Sequence, residues 1–441
     1  MSHKSGLDAL HRKIDLRLLP YLFLLYIVAY LDRVNVSFAA PGLRQDLGFS
    51  SSVFGLGAGM FFAGYVLCEV PSNLILRRMG ARRWIARIMV SWGVAACLMA
   101  LVREPWSFHA LRFLLGVAEA GFLPGIIYYL TLWYAPARRA RAVALFMAAT
   151  PVAGMIGGPL SGLLLGLDGL HGLAGWQWMF LLEGLPAVLL GVSVLRLLPD
   201  GPADAPWLER RERDLLATEL AVDPAVEPGA PEKLSRVLLS LGRDRRVWLL
   251  SGAYFALCVG MYGLVMWMPT LIGEVLGQAA TPMRVGLLSS VPYLGGALGM
   301  VLVGRHSDST RERRWHTAGP LFLGAAGFLL SLLPIFMPGG WLGGTGPWWS
   351  LGCFTLATVG LWGMLGPFWT IPTGFLTGAA AAGGVALVNS IGNAGGFVGP
   401  ALVGFVRDAT GSHVTGFVFI AVVMVLGGCC VLLATLPRRA G

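Results

Sequence analysis

Along almost the whole chain, stretches of apolar residues alternate with short charged runs. Each stretch is near the roughly 20 residues that an α-helix needs to cross about 30 Å of hydrocarbon. Charges, Pro and Gly delimit about twelve of them, at 17–40, 53–76, 84–102, 107–132, 141–166, 177–198, 246–273, 284–304, 316–337, 347–371, 379–406 and 413–436. One long polar segment separates the sixth from the seventh and carries Pro199, Pro202, Pro206, Pro224, Pro228 and Pro231, with a charged run from Glu209 to Asp214. The pattern predicts an all-α membrane protein of about twelve transmembrane helices: a six-helix half over 1–198, a linker over 199–245 and a second six-helix half over 246–441. The first stretch holds Asp32 and Arg33, lacks a small-residue cleavage site and opens a long series of similar stretches, so it reads as a retained helix and not a signal peptide.

Composition excludes a soluble domain, since 56% of the 441 residues are hydrophobic and only 13% are charged. The net charge of +10 is a topology signal. Lys4, Arg12, Lys13, Arg17, Arg77, Arg78, Arg82, Arg83, Arg138, Arg139, Arg141, Arg305, Arg311, Arg313, Arg314, Arg438 and Arg439 fall in loops on one side, against chiefly Arg44, Arg103, Arg284 and Arg407 on the other. The basic side is expected to be cytoplasmic, with both termini and the linker inside the cell. Nucleic acid is not an expected partner, because the Arg clusters hug membrane ends and lack interleaved stacking aromatics.

The six cysteines lie inside apolar stretches without C-x-x-C spacing, which disfavours a zinc site or disulfide framework. Asn35-Val36-Ser37 matches a glycosylation acceptor but sits inside the first span, and Gly55-Leu56-Gly57-Ala58-Gly59 lacks the strand that a nucleotide loop requires. No Walker A motif is present. No cofactor is expected, and an ion gradient becomes the natural energy source.

Charges inside spans carry most of the functional information, since each costs roughly 2.5–3.5 kcal/mol at a helix centre on insertion scales. Asp32 and Arg33 fall past the middle of the first span and Arg112 before the middle of the fourth, placing them at similar depth toward the side opposite the basic loops. Arg112 and Glu119 are seven residues apart and share a helix face, with roughly 10 Å between their Cα atoms along the axis; that face is expected to line a cavity. Two acids and two bases make a quartet of zero net charge. Protonating either acid leaves it positive, so proton and anion binding favour each other by linkage, which is a physical recipe for symport. The alternative is a static set of ion pairs that locks the helices.

Tyr26, Tyr30 and Arg33 follow i, i+4, i+7 spacing, which sets the Tyr30 hydroxyl beside the guanidinium. Tyr65 lies mid-span, Tyr254 and Tyr262 share a stripe, and Asn389 and Asn393 are four apart on the eleventh helix. Each could meet substrate or serve as a helix-packing hydrogen bond. Trp369 reads equally as a stacking wall or an interfacial anchor. Glycines around Pro159, and the set Gly392, Gly395, Gly396, Gly399 and Pro400, allow close helix approach; Pro159 is a candidate hinge. The loop Arg77-Arg78-Met79-Gly80-Ala81-Arg82-Arg83 after Glu69 is echoed in the second half by Gly304-Arg305-His306-Ser307-Asp308 running into Arg311-Glu312-Arg313-Arg314. Arg77, Arg78, Arg82, Arg83, Arg305 and Asp308 are read as a gate, with plain positive-inside anchoring as the alternative.

Twelve spans split by a middle loop, with this repeated basic loop, resemble the major facilitator superfamily. Within it, Tyr30-Leu31-Asp32-Arg33-Val34-Asn35, Glu69-Val70-Pro71-Ser72-Asn73, Arg112 through Glu119 with Ala120-Gly121-Phe122-Leu123-Pro124-Gly125, and Gly366-Pro367-Phe368-Trp369 through Asn389-Ser390-Ile391-Gly392-Asn393 resemble the anion:cation symporter family. That family includes bacterial permeases for sugar acids, tartrate, phthalate and hydroxyphenylacetate. The resemblance implies the major facilitator fold and proton-coupled uptake of a small carboxylate. In it Arg33 grips the carboxylate, Asp32 and Glu119 take protons, Arg112 communicates between them, and Tyr30, Tyr65, Trp369 and Asn393 match positions around the substrate, to which the spacing of Asn389 from Asn393 adds a further candidate. Thr150 departs from the glutamine that sugar-acid carriers place on the fifth helix, which leans toward a smaller or aromatic acid.

The expected partners are therefore a small organic anion, protons and the lipid bilayer, with one chain as the working unit in a bacterial cytoplasmic membrane. A proton-antiporting exporter and a transport-inactive receptor remain the alternatives. No enzyme is expected, because the seven histidines provide no nucleophile-base or metal-ligand set within the spans.

Overall fold

The computed structural model describes residues 3–221, 241–336, 346–376 and 378–436. Pro224, Pro228, Pro231, Arg438 and Arg439 lie outside the described residues, as do the side chains of Lys4 and Arg77. In hydrocarbon a backbone must satisfy its polar groups within its own segment, which only helices and closed barrels achieve. The described residues accordingly form helices and no strand.

Eleven helices are long and apolar enough to cross a membrane: α1 (Gly6–Leu47), α2 (Ser51–Leu76), α3 (Ala81–Leu101), α4 (Pro105–Thr131), α5 (Arg138–Leu165), α6 (Gly175–Leu197), α7 (Arg245–Ala279), α8 (Pro282–Thr310), α10 (Gly346–Thr373), α11 (Gly383–Thr410) and α12 (Val414–Ala434). Between them α9 (Arg314–Ser331) packs along α10 and α12 and completes the twelve; Arg314, His316 and Thr317 dilute the apolar character of its first turn. Capping residues start several of these helices. The Ser50 hydroxyl accepts from Val53 N at 3.3 Å ahead of α2, and the Asp244 carboxylate accepts from Arg246 N at 2.9 Å at the start of α7.

Helices α1 to α6 pack chiefly among themselves, as do α7 to α12. Three pairs cross between the sets: α1 with α7, α2 with α11, and α5 with α8. One end of the bundle, the basic face, carries Arg82 paired with Asp200 at 3.0 Å and Lys13 paired with Glu212 at 2.7 Å. The second pair ties the linker helix Arg210–Ala221 to α1, helped by His11 against Glu219 at 2.6 Å and by Trp207 stacked on Trp133 with centroids 5.5 Å apart.

Near the other end, the opposite face, two glycine seams join the sets. A Cβ built on Gly158 of α5 would stand 2.2 Å from the Gly286 carbonyl oxygen of α8, and one on Gly55 of α2 would stand 2.4 Å from that of Pro400 in α11. Only glycine permits backbones so close. The second seam is latched by Asp408, whose carboxylate accepts from Ser51 N at 3.0 Å and Ser52 N at 2.7 Å, donors that the first turn of a helix leaves free. Between the seams a cavity of about 680 Å³ opens among the ends of α1, α6, α7 and α8, bordered by Arg44, Asp46, Trp176, Trp267, Glu274 and Arg407.

Among the described residues α4 leaves helical geometry at Ala120 and Gly121, whereas Ala148 in α5, Met364 in α10 and Ala394 in α11 keep right-handed helical dihedrals through slight irregularities. In this conformation α5 runs unbroken from Ala149 to Leu165 through Pro159, the candidate hinge. Its glycines serve the seam with α8.

Gly158→Leu should wedge α5 and α8 apart at the opposite face while sparing the ionised side chains. Spin labels on cysteines at Leu170 and Ala279, in a cysteine-free background, should separate by several Å in the variant. An unchanged distance distribution would show that this seam does not hold the face shut.

Candidate substrate and proton site

Arg33 sits midway along α1 where the two helix sets meet. Its guanidinium is ion-paired to Glu119 of α4 and donates across the divide to the Tyr262 hydroxyl of α7 at 3.4 Å. Arg112 donates from Nε to the Gly57 carbonyl of α2 at 3.3 Å. Phe61 lies between the two cations, its ring centroid 5.3 Å from the Arg33 guanidinium carbon and 5.2 Å from that of Arg112; the Tyr65 ring is 5.5 Å from Arg33. Aromatic faces stabilise cations in such places.

Arg33 Nε, Arg112 Nη2, the Tyr30 hydroxyl and Glu119 Oε2 are buried without a hydrogen-bond partner among the described residues. Buried polar atoms left so cost about 1–3 kcal/mol each, which marks a place built to take a further polar group. Three of the four can donate, as an anion requires.

The expected quartet is not assembled. Asp32 and Arg33 are neighbours in sequence, but successive helical residues point about 100° apart. Asp32 therefore faces α3, where one carboxylate oxygen accepts from Trp92 Nε1 at 2.6 Å and the other from Asn35 at 3.4 Å. What forms instead is a triad of Arg33, Glu119 and Arg112, with Asp32 behind it. The face carrying Arg112 and Glu119 does not open on a cavity in this conformation either. Each residue is 1% exposed, and neither borders the cavity at the opposite face. Glycines explain the closure: a Cβ on Gly116 of α4 would stand 1.9 Å from the Phe61 carbonyl oxygen, so α2 lies directly on that face.

Immediately after Glu119, α4 breaks. Ala120 leaves helical geometry, and Gly121 adopts φ 87°, the left-handed region that glycine alone enters freely. The Ala120 carbonyl freed by the break accepts from the Ser72 hydroxyl at 2.6 Å, and Ser72 in turn accepts from Trp84 Nε1 at 3.0 Å. A discontinuous helix beside an intramembrane charge is a recurrent way to expose polar backbone at a transport site.

The other expected residues divide into groups. Tyr30 is buried edge-on to Trp362 of α10, with centroids 6.2 Å apart. Trp369 packs with Tyr254 at 4.8 Å and with Phe368 at 5.1 Å, forming an aromatic group of the second helix set. Asn389 donates to Glu69 of α2 at 2.8 Å, with the Ser390 hydroxyl adding a contact at 3.4 Å. Asn393 is half-buried four residues further on. Glu69 and Asn389 thus join the sets on the basic-face side of the ion triad. Among the described residues the basic loops form no ion pair between the sets: Arg82 is held by Asp200 of the linker and Asp308 by Arg313 at 2.7 Å, while Arg78, Arg83 and Arg305 are exposed.

The relatives agree with this architecture. A sequence model described as Major Facilitator Superfamily matches residues 22–400. The chain belongs to the major facilitator superfamily. Within this superfamily it is 47% identical over 432 residues to an Agrobacterium vitis protein named "Putative tartrate transporter", covering 98% of this chain and 96% of that one. It is 42% identical to a "Quinolone resistance transporter" of Acinetobacter baumannii, covering 94% of this chain and 92% of that one. In three dimensions it is similar to a bacterial homologue of the human lysosomal transporter Spinster, with a TM-score of 0.76 at 18% identity over 94% of this chain and 96% of that one. This superfamily member is a multi-pass membrane transporter and not an enzyme.

Three features escaped sequence reasoning. Glu183, inside α6, met the same criterion that singled out Asp32 and Glu119 and was passed over. Phe61 and Trp92 carried no signal, since an apolar residue in an apolar helix looks like any other until its neighbour is known.

Gly121→Ala should destabilise the fold, because a Cβ there would stand 2.3 Å from the Ser72 hydroxyl and a left-handed backbone opposes any side chain. A loss of about 1–2 kcal/mol should appear as a lower thermal midpoint in detergent; a midpoint within error of wild type would show that the break tolerates a side chain.

Proposed function

We propose that this transporter imports a small organic carboxylate together with protons, by alternating access, across a bacterial cytoplasmic membrane. The observation that carries the reading is the buried Arg33–Glu119 pair touching Tyr262 across the divide. A guanidinium in low dielectric needs an anion beside it. While Glu119 is ionised it fills that role; once Glu119 takes a proton, a substrate carboxylate can replace it. Proton and anion therefore load together, and the gradient of one drives the other without a bound cofactor.

Arg33 and Arg112 act as the anion-binding cations, with Tyr30, Tyr65, Trp369, Asn389 and Asn393 around the substrate, and Asp32 and Glu119 as proton carriers. The units 1–198 and 246–441 rock about this centre, joined by 199–245. The basic face is cytoplasmic, in keeping with the positive-inside rule, and a single chain performs the cycle. With the opposite face seamed shut, access from the basic face requires Glu69 to release Asn389. The loop residues Arg77, Arg78, Arg82, Arg83, Arg305 and Asp308 close that face in the other state.

The name of the Agrobacterium relative favours a hydroxy dicarboxylate of tartrate's class. Thr150 is consistent with a small acid, because its hydroxyl is spent on the Met147 carbonyl at 2.5 Å. The name of the Acinetobacter relative favours a second reading, a proton-antiporting exporter of an organic anion, in which proton and anion would occupy Glu119 and Arg33 in alternation instead of together.

Proteoliposomes loaded with buffer and given an inward proton gradient should accumulate one of tartrate, galactonate, phthalate or 4-hydroxyphenylacetate. Arg33→Ala removes a charge-assisted contact worth about 1.5–3 kcal/mol and should raise the half-saturating concentration roughly ten- to hundred-fold. Glu119→Gln should keep exchange of the acid but lose accumulation against its gradient. Accumulation by Glu119→Gln equal to wild type would remove the proton role, and transport of the acid only outward would favour export.

A further inference from the structure

Behind the ion triad, on the α3 side of α1, lies a second polar group inside the first six helices. Glu183 of α6 is 5% exposed, Asp32 1% and Asn35 of α1 2%. Glu183 Oε1 accepts from the Ser161 hydroxyl of α5 at 2.9 Å, and its Oε2 has no hydrogen-bond partner among the described residues. Asn35 stands between the two acids, donating to Asp32 at 3.4 Å and neighbouring Glu183.

The titratable groups that bear on the pair are Glu119 of α4 and the Cys97 thiol of α3, both toward Asp32; α5 contributes only the Ser161 hydroxyl. No Lys or Arg is hydrogen-bonded or ion-paired to either acid among the described residues. Isolated charge in a protein interior is costly, and like charges oppose each other. Ionising both would leave two unpaired like charges in the interior, a cost that a shared proton relieves. Ser161 lies four residues from the α5 end at the opposite face, about 6 Å along the axis. The group thus leads from that face toward Asp32 along the side of α1 that Arg33 does not use.

The geometry points to Glu183 and Asp32 as a two-carboxyl proton site, in which Glu183 takes protons from the side of the opposite face and passes them to Asp32. In the transfer the O–H bond of Glu183 breaks and one forms on Asp32, leaving the charge of the pair unchanged. Proton and anion then reach the centre of the transporter on different faces of α1. The inference deepens the proton coupling proposed above and rests on it for the use made of the proton, though not for the site itself.

The test is an infrared pH titration of the purified full chain, wild type against Glu183→Gln and Asp32→Asn, reading the protonated-carboxyl band without any substrate. A titrating component assignable to Glu183 should be present in wild type and missing from Glu183→Gln, while the components of other carboxyls, Asp32 and Glu119 among them, remain. In Asp32→Asn the midpoint of the Glu183 component should move by about one pH unit or more toward lower pH, because a neutral neighbour no longer opposes ionisation. If Glu183→Gln does not purify as monodisperse protein, the Asp32→Asn shift decides alone. A Glu183 band that never titrates, or one indifferent to Asp32→Asn, overturns the inference and leaves Glu183 as a hydrogen-bonded strut between α5 and α6. Wild type that titrates as expected but accumulates no acid under a proton gradient would instead overturn the symport reading and leave this site standing.

Discussion

A guanidinium in the middle of a membrane protein cannot stand without a counter-charge, and the core of this transporter is arranged around that constraint. Arg33 meets it with Glu119, and the pairing fixes α1 against α4. Among the described residues Arg112, two turns before Glu119, meets a carbonyl and an aromatic face but no second carboxylate in an ion pair, so the triad carries more positive than negative charge. An anion is the group that would complete it. The helix break after Glu119, and the Ser72 hydroxyl that satisfies the freed carbonyl, keep the acid at the end of a short helix segment rather than inside a rigid one.

Small residues decide which parts of the molecule touch. Glycines bring α5 onto α8 and α2 onto α11 until backbones meet, and each seam lies toward the opposite face. On the basic-face side the sets are held by hydrogen bonds from Asn389 and Ser390 to Glu69. Close packing over backbone is strong but demands one fixed geometry, whereas a few side-chain hydrogen bonds can be exchanged for others at small cost. The two ends of the bundle thus differ in the kind of contact that holds them. The linker helix adds a third attachment, clipping the polar middle of the chain onto α1 through Lys13 and His11.

Much of this was legible without coordinates. Apolar run length determined the helical fold and the span count, because a bilayer leaves a backbone few other solutions. Intramembrane charge flagged Arg33, Arg112, Glu119 and Asp32, because each is too costly to keep without a use. The same rule covered Glu183, which shows that the signal was present and incompletely read. The glycine runs announced close helix approach, though not with which partner.

Tertiary structure alone decided who faces whom. Asp32 and Arg33 are adjacent in sequence, yet a helix turns one toward Trp92 and the other toward Glu119, so the four-charge cluster suggested by spacing became a triad with a separate acid behind it. Asn389 and Glu69 lie 320 positions apart, and their bond exists only because α2 and α11 cross. Pro159 lies inside a continuous helix, while α4 breaks at Ala120 and Gly121, where the Ser72 hydroxyl satisfies the freed Ala120 carbonyl. Sequence by itself determined which residues cannot be idle in a membrane. The partners that relieve their cost were set by helix crossings, which depend on contacts between segments far apart in the chain and have no local signature.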